Sequence, residues 1–109
     1  MEIPVQITFR DIPHSMAIEE KVQEYADRLD RLFDRIIRCR VVVEAPHRHH
    51  HKGKIYHVTI DLKVPGNEIV VSKDGQENHK HEDVYVAIHD AFQVAERQLE
   101  DYIRKMRGN

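Results

Sequence analysis

Cysteine is nearly absent from this 109-residue chain: Cys39 is the single copy. One thiol excludes an internal disulfide and any zinc site built on a cysteine cluster. It lies in an apolar alternation and reads as a buried structural thiol. Long apolar runs are missing too, and nothing approaches the roughly 20 residues of a membrane span. Met1-Glu2-Ile3-Pro4 lacks the basic start and apolar stretch of a signal peptide, so a cytoplasmic location is expected. There is no Gly-rich phosphate loop, no Gly-x-Ser-x-Gly and no His-Glu-x-x-His, and no catalytic role is expected. No internal repeat is present.

What the chain has is charge, at 33% of residues, with 40% apolar residues, a globular and well-solvated balance for one domain over residues 1–109. The net charge is −2, but its distribution is uneven. Residues 34–54 carry +4, from Arg35, Arg38, Arg40, Arg48, Lys52 and Lys54 against Asp34 and Glu44. The same stretch holds four of the nine histidines, His47, His49, His50 and His51. A polyanion would be met there first.

The periodicities give the order β-α-β-β-β-α. Ile3, Val5, Ile7 and Phe9 alternate with polar residues, and Pro4 suits an edge strand. Ser15 is an N-cap for a helix whose apolar face is Ile18, Val22, Tyr25, Ala26, Leu29, Leu32 and Phe33. A second strand over 36–45 points Ile37, Cys39, Val41 and Val43 inward. Pro46 ends it, and a His-rich loop over 46–54 follows. Tyr56, Val58, Ile60, Leu62 and Val64 form the inward face of a third strand. Pro65-Gly66 fits a type II turn into a fourth, with Ile69 and Val71. The last helix carries a 3.6-residue stripe from Val84 through Ile88, Phe92, Ala95 and Leu99 to Met106, with Asp83 as N-cap and Gly108 past its end. The crossover through the first helix makes the first two strands parallel and the rest antiparallel. The expected fold is α+β, a four-stranded mixed sheet with two helices on one face. The other face, with Arg38, Arg40, His57, Thr59, Asp61 and Lys63, is left to water or a partner.

Three functions are compatible with these residues. The basic loop, whose histidines add stacking and donor capacity, can meet phosphates. Alternatively, His47, His49, His50 and His51 bind a metal, although no cysteine or helical histidine pair converges with them. The net negative charge also fits a protein-interaction module that does not bind RNA. Tyr85 reads either as half-buried packing or as a surface aromatic for base stacking. His89 reads as a surface histidine, and Glu96, Glu100 and Asp101 near Arg97 as helix-surface ion pairs.

Several motifs narrow the choice. Lys80-His81-Glu82-Asp83-Val84-Tyr85-Val86-Ala87-Ile88, the Pro65-Gly66-Asn67 hairpin, Glu96-Arg97-Gln98-Leu99 and Ala26-Asp27-Arg28-Leu29 with Arg31-Leu32 together span nearly the whole chain. They resemble the ribosome hibernation-promoting factor and ribosome-associated inhibitor A family, also called sigma-factor modulation proteins. The resemblance implies a monomeric translation inhibitor that occupies the messenger- and transfer-RNA channel of the small ribosomal subunit under stress or in stationary phase. It implies no cofactor, small-molecule substrate or membrane, because basic side chains act on ribosomal RNA backbone. Arg28, Arg31, Lys80, Tyr85 and Arg97 are the residues carried over, and Arg104, Lys105 and Arg107 match a basic end of the last helix. With Arg35, Arg38, Arg40, Arg48, Lys52 and Lys54 they make up the candidate RNA-binding set. Glu100 and Asp101 stand where better-known members keep lysines, and the His47–Lys54 insertion is additional. No dimerisation domain for ribosome pairing is expected within these 109 residues.

The expected centre of positive charge is the second strand with the His-rich loop, and the last helix is read as the element on which the fold is built.

Overall fold

A computed structural model of the chain describes residues 3–45, 56–74 and 83–108. The elements follow in the expected order: β1 (Val5–Arg10), α1 (Met16–Leu32), β2 (Arg38–Glu44), β3 (His57–Val64), β4 (Asn67–Asp74) and α2 (Asp83–Met106). They form one four-stranded sheet, ordered β1-β2-β3-β4. β1 pairs in parallel with β2, and β2–β3 and β3–β4 are antiparallel. β1 is therefore an edge strand, and Pro4 precedes it as its missing N–H donor requires.

Local chemistry sets the boundaries. The Ser15 hydroxyl accepts from the Ile18 amide at 3.2 Å and caps α1. Gly66 sits at φ +74°, the second central position of a type II turn, which a β-carbon would strain. Gly108, at φ +85°, stops α2, and its amide donates to the Lys105 carbonyl at 3.1 Å. Asp83 is the first helical residue of α2, so the capping position at 82 lies outside the described residues.

One face of the sheet is apolar and both helices cover it. On β3 burial alternates at every residue, with Val58, Ile60, Leu62 and Val64 fully enclosed. α2 lies over β3 and β4, while α1 lies against β1 and α2. Ile88, Ala91, Phe92, Ala95 and Leu99 bury the α2 stripe, with Ile88, Phe92 and Leu99 each contributing about 1.5–3 kcal/mol. The edge is looser: Val5, Ile7 and Phe9 are only partly buried.

Three apolar positions depart from their expected burial. Ile37 is 48% exposed and Ile36 takes the core position, because the two residues precede the first paired strand residue and escape its alternation. Leu32 and Met106, each 40% exposed, belong to the last turns of their helices and overhang the sheet. Tyr85 is half-buried and packs on the core. Among the described residues, no helix is long and apolar enough to cross a membrane.

If α2 holds the core together, Leu99→Ala, at a site with no solvent exposure, lowers unfolding free energy by about 2–5 kcal/mol. Urea denaturation measures this; a loss under about 1 kcal/mol would contradict the packing described.

Candidate nucleic-acid interface

The helices run parallel. Tyr25 stacks on Phe92 at 5.1 Å, Arg28 Nε meets Glu96 Oε1 at 3.2 Å, and Phe33 meets Tyr102 edge-on at 5.6 Å. This near-constant offset carries the two helix C-termini to the same end of the molecule. The β3–β4 turn lies there as well, since the Tyr102 hydroxyl donates to the Pro65 carbonyl at 2.5 Å. Ala45, Tyr56, Asp74 and the start of α2 belong to the opposite end.

This topology sorts the described candidate cations into two groups. Arg28, Arg31 and Arg35 follow one another along α1 and just beyond it, and Arg97, Arg104, Lys105 and Arg107 follow α2; all are exposed. Leu32, Ile103, Arg104 and Arg107 line a shallow depression between the last turns of the two helices, with Glu100 at its rim. Cations there also complement the partial negative charge of two helix C-termini. Arg28 is tied to Glu96 and Arg104 to Asp101, the latter at 2.9 Å. Arg31, Arg35, Arg97, Lys105 and Arg107 form no ion pair among the described residues, which leaves them available to an external anion. Exposed pairs such as Arg28–Glu96 contribute only about 0–1 kcal/mol and exchange readily for phosphate contacts.

The second group occupies the open face of the sheet, where the register places an acid near every base. Arg38 faces Lys63, which faces Glu68, and Arg38 Nη2 reaches Glu68 Oε2 at 3.6 Å. Gln6, Arg40, Asp61 and Val70 make the next row, then Thr8, Val42, Thr59 and Ser72, then Arg10, Glu44, His57 and Asp74. His57 and Asp74 are hydrogen-bonded across the strands. Asp61 Oδ1 and Arg38 Nε are buried without hydrogen-bond partners among the described residues. The second strand thus carries a charge-balanced lattice where a positive strip was expected.

Arg48, Lys52, Lys54 and Lys80 lie outside the described residues, as do His47, His49, His50 and His51. Among the described residues, no group of three or more His, Cys, Asp or Glu side chains is placed to hold a metal.

The cross-helix contacts are what the sequence reading missed. Glu96 pairs with Arg28 on the other helix, not with Arg97 beside it. His89, read as a surface histidine, sits edge-on to Tyr25 at 6.0 Å. Only the parallel packing of the helices reveals these partners, and no spacing within one helix encodes it.

Cys39 is fully enclosed on the helix-facing side of β2. Burial, with a smaller contribution from the Asp61 charge, pushes its thiol from 9.0 up to about 12. It is a core atom and not a nucleophile.

Comparison with known proteins bears on this geometry. The family model described as sigma 54 modulation protein / S30EA ribosomal protein matches residues 5–107. Among solved structures, a ribosomal subunit interface protein from Coxiella burnetii superposes with a TM-score of 0.73 at 19% identity, covering 92% of this chain and 97% of its own. The N-terminal domain of Protein Y from Thermus thermophilus superposes with a TM-score of 0.70 at 25% identity, covering 94% of this chain and 99% of its own. No curated protein matches the chain.

The raised Cys39 thiol has a pH consequence. The unfolded thiol ionises first, so unfolding releases a proton between pH 9 and about 12, and stability falls as pH rises through that window. Native alkylation near pH 8 should proceed only as fast as the chain opens; labelling at the rate of a free thiol would contradict the burial.

Proposed function

The chain belongs to the sigma 54 modulation protein / S30EA ribosomal protein family, and on that premise we propose that it is a cytoplasmic, ribosome-associated inhibitor of translation. It binds the small subunit in the channel for messenger and transfer RNA and holds ribosomes idle under stress or in stationary phase. The family match over residues 5–107 carries this reading. The distribution of charge supports it and suggests an orientation. The C-terminal half of the helix layer presents exposed arginines from two elements, and the sheet's open face balances its own charges.

In this orientation Arg28, Arg31, Arg97, Arg104 and Arg107 contact phosphates, with Arg35 and Lys105 at the margin. Structured RNA is recognised largely by shape and backbone, which needs neither a cofactor nor base-specific chemistry over most of the surface. Each phosphate contact releases counterions and adds roughly 0.7 to 0.9 to the salt slope of binding. Glu96 and Glu100 moderate the attraction, so binding should be readily reversed by salt. Arg48, Lys52, Lys54 and Lys80 extend the proposed contact set through the two segments that connect β2 to β3 and β4 to α2. Arg38, Arg40 and half-buried Tyr85 play a smaller part, because Arg38 is paired with Glu68, Arg40 stands opposite Asp61 and Tyr85 packs on the core.

Sucrose gradients of stationary-phase lysate give the direct test. The protein is expected to travel with small subunits at low salt and to leave them at high salt. Retention at the top of the gradient at low salt would refute the proposal. With purified subunits, replacing Arg31, Arg104 and Arg107 together by alanine should lower the salt slope by about 2 to 3. An unchanged slope would place the contact surface elsewhere.

A further inference from the structure

A groove of about 710 Å³ opens between the last two turns of α2 and the β3–β4 turn. Its volume falls in the range of small-ligand clefts. Ile69, only 5% exposed, the half-buried ring of Tyr102 and the thioether of Met106 supply its apolar lining. Tyr102 cannot swing away, since its hydroxyl is committed to the Pro65 carbonyl.

The charges around this groove are unequally satisfied. Two acids line it, and each is engaged by a cation that does not line it: Glu68 by Arg38 at 3.6 Å, and Asp101 by Arg104 at 2.9 Å. Its two cations are Arg35 and Lys105, and neither forms an ion pair among the described residues. Among the described residues, Arg35 approaches only the Met106 sulfur, at 4.0 Å. The groove is therefore an apolar slot with two uncommitted positive charges. Two amides complete it. Asn67 uses its side-chain carbonyl oxygen to accept from the Glu68 amide at 2.8 Å, and its NH₂ has no acceptor among the described residues. Gln98 has no hydrogen-bond partner among the described residues.

We propose that this groove takes one unstacked nucleotide of single-stranded RNA, with the phosphate held by Arg35 and Lys105 and the base laid on Met106 and the ring of Tyr102. Single-stranded RNA is recognised by this combination: a polarisable or planar surface for the base, polar groups for its edge and cations for its backbone. A base paired within a duplex cannot enter the slot. The inference rests on the ribosome-binding reading and adds a place where that surface would distinguish an extruded or single-stranded nucleotide from helical RNA.

Amide NMR of the whole chain tests it without relying on a variant. A single-stranded hexaribonucleotide should shift the amides of Asn67, Ile69, Gln98 and Met106, while a blunt-ended duplex of a self-complementary hexamer should not. Arg35→Gln with Lys105→Gln should weaken the oligonucleotide at least tenfold and preserve the dispersed spectrum of a folded chain, and Lys21→Gln, on the N-terminal half of α1 beside Glu24, should leave its affinity within twofold. The proposal is overturned if the shifts lie elsewhere or if duplex matches single strand. It is equally overturned if inorganic phosphate or an acidic peptide reproduces the response. Sedimentation of the wild-type chain with small subunits is read separately. Loss of sedimentation with groove shifts intact would sink the ribosomal reading and spare the groove. Intact sedimentation without groove shifts would do the reverse.

Discussion

The sheet has a single apolar face, and burying it determines most of what else this chain can do. β2 and β3 are hydrogen-bonded on both edges and send Cys39, Val41, Val43, Val58, Ile60, Leu62 and Val64 to the same side. Only the stripe of α2 is long enough to cover β3 and β4, and α1 then fills the remaining space beside β1. Since α2 returns antiparallel to β4 and α1 runs from the end of β1 to the start of β2, the helices must lie parallel. Two helix C-termini at one end, with their arginines and lysine, follow from the topology itself. The position of the basic surface is thus a by-product of closing the core.

The two outer surfaces differ in how their charges are neutralised. On the open sheet face, neighbouring strands set acids beside bases at fixed spacing, and opposite charges so placed favour one another. On the helix layer the C-terminal half holds as many acids as the N-terminal half but all of the cations except Lys21, and several of those cations form no ion pair among the described residues. A net charge of −2 is compatible with RNA binding for this reason. The acidic residues are spent on the sheet face and the helix flanks, and the exposed ends of α1 and α2 keep their positive character.

Elements and topology were legible because each rests on a local rule. Alternation gave β3, the stripe gave α2, Ser15 gave the start of α1, and Pro65-Gly66 gave the hairpin. Pro4 correctly marked an edge. Ile37 departs from the expected face because alternation is extended past Arg38, the first paired residue of β2; the Ile37 amide still bonds to the Lys63 carbonyl, but the strand register has ended there. The charge pattern was harder to read. Arg38 and Arg40 stand in a basic stretch of sequence, but their neighbours in space, Glu68 and Asp61, lie at least twenty residues downstream. The Arg28–Glu96 pair likewise depends on how two helices align. A linear count of charge places the positive surface on β2 with the His-rich loop; the fold sets acids of β3 and β4 beside β2, and the loop lies outside the described residues.

The central claim is that the C-terminal end of the helix layer faces RNA while the sheet's open face does not. Hydroxyl-radical footprinting of the chain bound to small subunits addresses it through four exposed apolar side chains. Leu32 and Met106, each 40% exposed, mark the helix end; Val70, 57% exposed, marks the sheet face, and Met16, 70% exposed, marks the start of α1. Protection of Leu32 and Met106 with continued oxidation of Val70 and Met16 is the predicted pattern. Protection of Val70 with Leu32 and Met106 still oxidised at the free rate would contradict it.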